Sequence, residues 1–276
     1  MNSAAVIAER LDGLRINRAL KAGIARLLSR QEHLNKINVF PVPDGDTGTN
    51  LALTMRGALS PLLARQAPER VGDVALAAAR GALMGARGNS GVILSQILHG
   101  FAQGLSTCER AETRDLAEAL EASSEAAYSA IQQPREGTIL TVIREVARRA
   151  REVSQGTREL SGFFASLASH ARDVLHSSRE QLPVLRDAGV VDAGGLGLVY
   201  MLEGMLKVTQ GEQLAGPTDL PSREGPARQS LEMDIPFRFC TEFLVEGTEL
   251  EVEALRAHLE ELGDSLVVAR TADLLK

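Results

Sequence analysis

Tryptophan is absent from this 276-residue chain, and aromatic residues make up only 3% of it. Base stacking needs aromatic platforms, so nucleic acid is not an expected partner. A formal net charge of -6 also removes the basic field that would draw phosphate backbones or anionic lipid. Cysteine is scarce: Cys108 and Cys240 stand alone, without the spacing of a disulfide framework or a zinc site. That pattern suits a reducing compartment, and the expected location is cytoplasmic. No stretch approaches the roughly 18 uncharged apolar residues of a membrane span, so no transmembrane segment is expected. Charges from Glu9 to Arg26 also break up the region where a targeting segment would lie. The only lysines are Lys21, Lys36, Lys207 and Lys276, and none sits in a G-x-x-x-x-G-K-[ST] pattern. The usual P-loop phosphate cradle is thereby excluded.

What is present begins with Asn38-Val39-Phe40-Pro41-Val42-Pro43-Asp44-Gly45-Asp46-Thr47-Gly48-Thr49-Asn50. The two prolines disfavour helix and predict extended backbone over Val39 to Pro43. Gly45 permits a turn that sets Asp44 and Asp46 close together. Two adjacent carboxylates repel unless a divalent cation neutralises them. The apolar run from Leu51 reads as a helix, which makes this bend a helix N-terminus suited to phosphate. Hard cation and phosphate together suggest a magnesium–nucleotide site. The competing reading is a polar, capped helix start without a ligand.

The 44% hydrophobic content supports a sizeable core, and spacing of the apolar residues predicts eight helices. They cover about 4–29, 49–59 (stopping at Pro61), 71–84, 92–98, 113–131, 139–146, 160–175 and 196–208, with no strand before residue 233. Short loops favour antiparallel packing of successive helices. The second, fourth, sixth and eighth helices then start at the same end. Those four starts follow Asp44-Gly45-Asp46-Thr47-Gly48, Gly88-Asn89-Ser90-Gly91, Arg135-Glu136-Gly137-Thr138 and Asp192-Ala193-Gly194-Gly195. Four positive helix ends would face one ligand. Residues 209–232, rich in Gly, Pro and Ser, read as a linker. Beyond it, alternation over Phe237 to Glu246, a helix from Val252 to Leu262 and a strand at Leu266 to Ala269 predict a short α+β segment over 233–276.

The four motifs together resemble the signature of the dihydroxyacetone-kinase nucleotide-binding domain, and more narrowly the ATP-binding protein of bacterial fatty acid kinase. The resemblance covers about residues 6–208 and implies an all-α, eight-helix antiparallel up-and-down barrel (DhaL-like) that holds ATP or ADP with two Mg2+ ions at one end. It implies Asp44 and Asp46 as magnesium ligands, with Asn38 in the place of a third carboxylate. Thr47, Gly48, Thr49, Asn50, Ser90, Gly91, Gly137, Thr138, Asp192 and Gly194 would line the nucleotide, and Arg186 or Arg179 would cover its phosphates. Thr47 stands where the dihydroxyacetone-kinase branch carries His, which favours the fatty-acid-kinase branch. The implied activity is Mg-dependent phosphorylation of a fatty acid to an acyl phosphate, with the lipid presented by a separate fatty-acid-binding protein. The alternatives are a glycerone-kinase-like ADP-binding subunit or a non-catalytic nucleotide-binding fragment, and a homodimer stays open. In the resemblance, 233–276 is the start of a middle domain that is cut short before its functional histidines. His33, His99, His170, His176 and His258 lie outside the four loops and read as ordinary surface or packing residues.

Overall fold

Apolar residues repeating every three to four positions give one-faced helices, and most of those faces meet in one large core. In the computed structural model, residues 9–65, 69–212, 241–247, 251–263, 266–269 and 274–276 are described. The elements are α1 (Gly13–Leu28), α2 (Gln31–Lys36), α3 (Thr47–Ala64), α4 (Val71–Gly85), α5 (Gly88–Gly104), α6 (Thr113–Ser129), α7 (Ile139–Ser154), α8 (Leu160–Ser178), α9 (Pro183–Ala188), α10 (Ala193–Thr209), β1 (Val245–Glu246), α11 (Val252–Glu260) and β2 (Leu274–Leu275). On α7 the division of faces is clear: Val142, Ile143, Val146 and Ala150 are buried. Its Arg144, Arg148 and Arg151 pair with Glu136, Glu145, Glu152 and Glu121 on the outside.

From α3 to α8 each long helix packs on the next, α10 packs on α8, and α1 packs on α10 and also touches α3 and α4. The eight long helices thus close an antiparallel up-and-down barrel, with α2 and α9 as short corner pieces. Its interior holds Ile16, Leu27, Leu51, Met55, Leu94 and Phe163, all essentially without exposed surface. Phe163 and Phe164 meet edge to face at 5.7 Å. One end of the barrel is joined by main chain. Leu11 and Ala111 exchange two hydrogen bonds of 2.8 Å, while Val71 and Gly72 donate to Glu109 and Cys108 at 3.2 Å. Asn17 adds side-chain bonds to Leu62 and Arg65 carbonyls there. The opposite end gathers the starts of α3, α5, α7 and α10.

Several boundaries differ from the sequence expectations. Helix one begins at Gly13 with Asp12 as its cap, accepting from Arg15 N at 2.9 Å; residues 1–8 lie outside the described residues. Pro61 does not end α3 but sits inside it. A proline there deprives the Gly57 carbonyl of its helical donor. That carbonyl lies against Gly81 of α4, so close that a Cβ on Gly81 would stand 2.4 Å from it, and the proline ring packs on the same glycine. Close approach of α4 covers the exposed acceptor, so the helix continues. The chain bends at the cis Phe40–Pro41 bond instead of running extended to Pro43. α5 and α10 each start three to four residues earlier than the apolar runs suggested, absorbing the glycines of their motifs.

The expected linker is described only as far as Glu212, and Phe237 and Phe239 of the expected strand also lie outside the described residues. Of that strand, Val245–Glu246 pairs antiparallel with Leu274–Leu275. Leu266–Ala269 is not a strand of its own sheet: Val267 bridges to Ile131, and Val268 N donates to Ala130 O at 3.0 Å. The segment meets its main-chain hydrogen bonds partly against the barrel's α6–α7 corner. No helix among the described residues is long and apolar enough to cross a membrane.

Candidate active site at one end of the barrel

The bend before α3 is tied together by side chains. Gly45 adopts a φ of 70°, which an ordinary side chain resists. The Asn38 amide donates to Val42 O at 2.7 Å and to Asp44 Oδ1 at 3.1 Å, and its carbonyl oxygen accepts from the Thr47 hydroxyl. Asn38 therefore positions Asp44 and buries the polar tip of Thr47. Asp46 occupies the N-cap position of α3 but makes no side-chain capping bond. The cap comes instead from α2. Asn35 Oδ1 accepts from Thr49 N at 3.0 Å, while Asn35 Nδ2 and Gln31 Nε2 donate to the Thr49 hydroxyl. Gly48 makes this possible, since a Cβ there would meet the Gln31 carbonyl at 2.2 Å.

The Asp46 carboxylate is thus turned toward Asp44 and Asn50. Burial first, and then the Asp44 charge, push its pKa up to about 6, while the Asn50 side chain opposes the rise. Among the described residues no third His, Cys, Asp or Glu joins them to complete a three-ligand cluster. The donor set fits a hard divalent cation: an exposed and a half-buried carboxylate that repel each other, leaving further positions to ligand oxygens or water. Asp44 and Asp46 would hold the ion, and it would supply neutralisation of negative charge beside α3.

The start of α5 lies beside this bend. Thr54 of α3 accepts from Arg87 N at 3.2 Å and donates to Asn50 O at 2.8 Å. A Cβ on Gly91 would stand 2.3 Å from the Thr54 hydroxyl, and one on Gly88 would stand 2.5 Å from the Asn50 amide. Both glycines therefore let α5 close on α3. Ser90 sits half-buried in the first turn of α5.

α7 and α10 share one capping group. Asp192 Oδ2 accepts from Gly195 N at 2.7 Å on its own helix and from Ile139 N at 2.9 Å on α7. Burial raises its pKa to about 6 against the pull of those two N–H groups. Thr138 caps α7, accepting from Leu140 N and donating to Arg135 O. Gly137, at φ 85°, turns the chain into that cap and donates to Thr141 Oγ1 at 2.8 Å. Gly194 keeps the Asp192 carboxylate and Ile139 within reach of the backbone. The two helix pairs meet where Leu51 of α3 lies on Gly197 of α10. So the four loops converge as spacing suggested, yet Thr138 and Asp192 use their oxygens on neighbouring amides. Fewer free N–H groups remain than four open helix ends would offer. Arg186 is exposed and pairs with the adjacent Asp187, and the half-buried Arg179 pairs with Glu180.

Sequence reasoning passed over Gln31, Asn35 and Thr54. Thr54 lies one turn beyond Asn50, inside a run read as purely apolar. α2 is six residues long, too short for a periodic signal, and its polar side chains gave no hint that they cap another helix.

Two protein families match parts of the chain. The DAK2 domain family matches residues 41–207, and the FakA-like middle domain family of fatty acid kinase matches residues 236–276. Protein YloV of Bacillus subtilis (strain 168) is 37% identical over 279 residues, covering 96% of this chain and 50% of its own length. An uncharacterised protein of Staphylococcus saprophyticus is 34% identical, covering 97% and 50%. The chain spans about half the length of the curated relatives it matches. The crystal structure of the dihydroxyacetone kinase from C. freundii in complex with AMP-PNP and Mg2+ matches with a TM-score of 0.54 at 16% identity, over 75% of this chain and 36% of that one. The native form of that kinase matches with a TM-score of 0.52. The shared feature is the DhaL-like helical fold.

Proposed function

Because this chain belongs to the DAK2-domain family and also matches the FakA-like middle domain of fatty acid kinase, we propose that it is the nucleotide-binding part of a kinase acting on fatty acids. The observation that carries the proposal is the Asp44–Asp46 pair. A helix start needing only a cap would use the Asp46 carboxylate for that purpose, but Asn35 does the capping and leaves both carboxylates on the bend. The C. freundii kinase of the same fold was crystallised with AMP-PNP and Mg2+. In this chain Asp44 and Asp46 fit Mg2+, and two ions are proposed.

In that reading Thr47 to Asn50, Ser90, Gly91, Gly137, Thr138, Asp192 and Gly194 form the walls of a nucleotide site, and Asn38 positions Asp44. The reaction breaks the bond between the γ-phosphorus and the β–γ bridging oxygen of ATP. It forms a bond from that phosphorus to a fatty acid carboxylate oxygen, leaving ADP and an acyl phosphate. Bound magnesium would supply charge neutralisation at the phosphates. The chain's own groups position and stabilise: the first turns of α3 and α5 direct N–H groups and positive dipole ends toward developing negative charge. The lipid would be presented by a separate fatty-acid-binding protein.

Calorimetry of AMP-PNP binding with Mg2+ tests the site. Asp44→Ala and Asp46→Ala are each expected to weaken Mg-dependent binding at least tenfold, with no magnesium dependence left in the double variant. Unchanged affinity in both single variants overturns the assignment. Acyl phosphate formation with a full-length relative and its lipid-carrying partner tests the acceptor.

A further inference from the structure

The first turn of α5 has an acceptor that comes from outside the barrel. Glu242 Oε1 accepts from Gly88 N at 2.6 Å. Its Oε2 lies 3.6 Å from Arg87 Nη1 and 3.8 Å from Lys276 Nζ. Lys276 also donates to Ala86 O, and its side chain is only 7% exposed. One carboxylate therefore gathers a helix-start amide and two cationic side chains. Beneath it Leu83, Ala86 and Val92 of the α4–α5 corner pack with Ala269 and Val267. Arg256 of α11 reaches Ser129 O at 3.4 Å, at the end of α6. The described residues after 240 thus lie over the same barrel end as the candidate site. They connect to it directly: Gly88 abuts the Asn50 amide, and Asn50 N donates to Asp46 O at 2.9 Å.

A helix-start N–H beside a guanidinium also suits a phosphoryl oxygen. We propose that Glu242 is an internal competitor of the nucleotide. Its carboxylate and the phosphate chain take the same donors, Gly88 N–H and the Arg87 guanidinium. Nucleotide binding then detaches the Glu242 segment from α5, and docking of that segment weakens nucleotide binding. The coupling is reciprocal by thermodynamic necessity, so the segment after residue 240 senses whether the barrel is loaded. This inference rests on the nucleotide reading given above. A segment that only supported the site would behave in the opposite way, because removing Glu242 would then weaken binding.

The test measures AMP-PNP affinity with Mg2+ by calorimetry for wild type, Glu242→Ala, Glu242→Gln and Asp44→Ala. Both Glu242 variants are expected to bind about 5- to 20-fold more tightly, in the usual range of intersite coupling. Glutamine tests the charge while keeping an acceptor for Gly88. Hydrogen exchange supplies a second readout. Val268 N and Ala269 N are bonded to Ala130 O and Lys276 O, and their exchange should quicken on nucleotide addition to wild type. Unchanged or weaker binding by both Glu242 variants, with binding lost in Asp44→Ala, overturns the competition and leaves the nucleotide site standing. No binding by wild type or either Glu242 variant overturns the nucleotide reading and this inference with it.

Discussion

Asp192 offers the sharpest test of how the convergent end is held. Its Oδ2 accepts from amides of two different helices, Gly195 N and Ile139 N. Burial lifts its pKa from 3.8 to about 6. The sign follows from linkage: a carboxyl that binds its proton more tightly when folded favours the fold while protonated. That advantage is complete below the unfolded value of 3.8 and is lost as pH rises toward the folded value of about 6. A shift of this size corresponds to about 3 kcal/mol between the two charge states. Asp192→Asn keeps an acceptor and has no charge to bury. It should therefore exceed wild type in stability by about 3 kcal/mol at pH 7.5, with about 2 kcal/mol of that gap gone by pH 4.5. Asp46 is common to both proteins and cancels. Asp192→Ala leaves two buried amides without an acceptor, at about 1–3 kcal/mol each, so it should fall well below the Asn variant at either pH. Urea unfolding at both pH values measures all three. A wild type–Asn gap that does not move with pH refutes the burial argument. An Ala variant as stable as the Asn variant refutes the double cap.

Other expectations concern the frame and the approach to the site. Gly100→Ala would place a Cβ 2.2 Å from the Ala122 carbonyl, forcing α5 and α6 apart. A loss of about 1–3 kcal/mol in urea unfolding is expected, and unchanged stability contradicts the close helix contact. Asn35→Ala removes the cap of α3 supplied by α2. It should cost about 1–2 kcal/mol and quicken hydrogen exchange at Thr49 N, and an unaltered exchange rate there rules the cap out.

The barrel was legible because its signal is long-range in sequence but simple in form. Leu116, Leu120 and Ala127 on α6, like Ile139, Val142, Ile143 and Val146 on α7, repeat at helical spacing, and short loops leave little choice but antiparallel packing. Convergence of the four motifs followed from the same count of helices. What could not be read was how polar groups would be shared. Asp192 was legible as a member of a glycine-rich loop, yet its second partner, Ile139 N, lies 53 positions away. Local spacing carries no trace of such a bond. Pro61 misled because its usual effect on helices is local, whereas its accommodation depends on Gly81 of the next helix. Glu242 had no signature at all: it stood in a segment read only as a strand, and its partners belong to another part of the chain.

The two ends of the barrel have different kinds of fastening. One is joined largely through main-chain atoms, as in the paired Leu11–Ala111 bonds, and such bonds are indifferent to which side chains evolution installs. The other is held by Asn35, Asn38, Thr54, Thr138 and Asp192, each replaceable by a single codon change. Variation can therefore reshape the mouth of the barrel one residue at a time while the opposite rim keeps the helices in order.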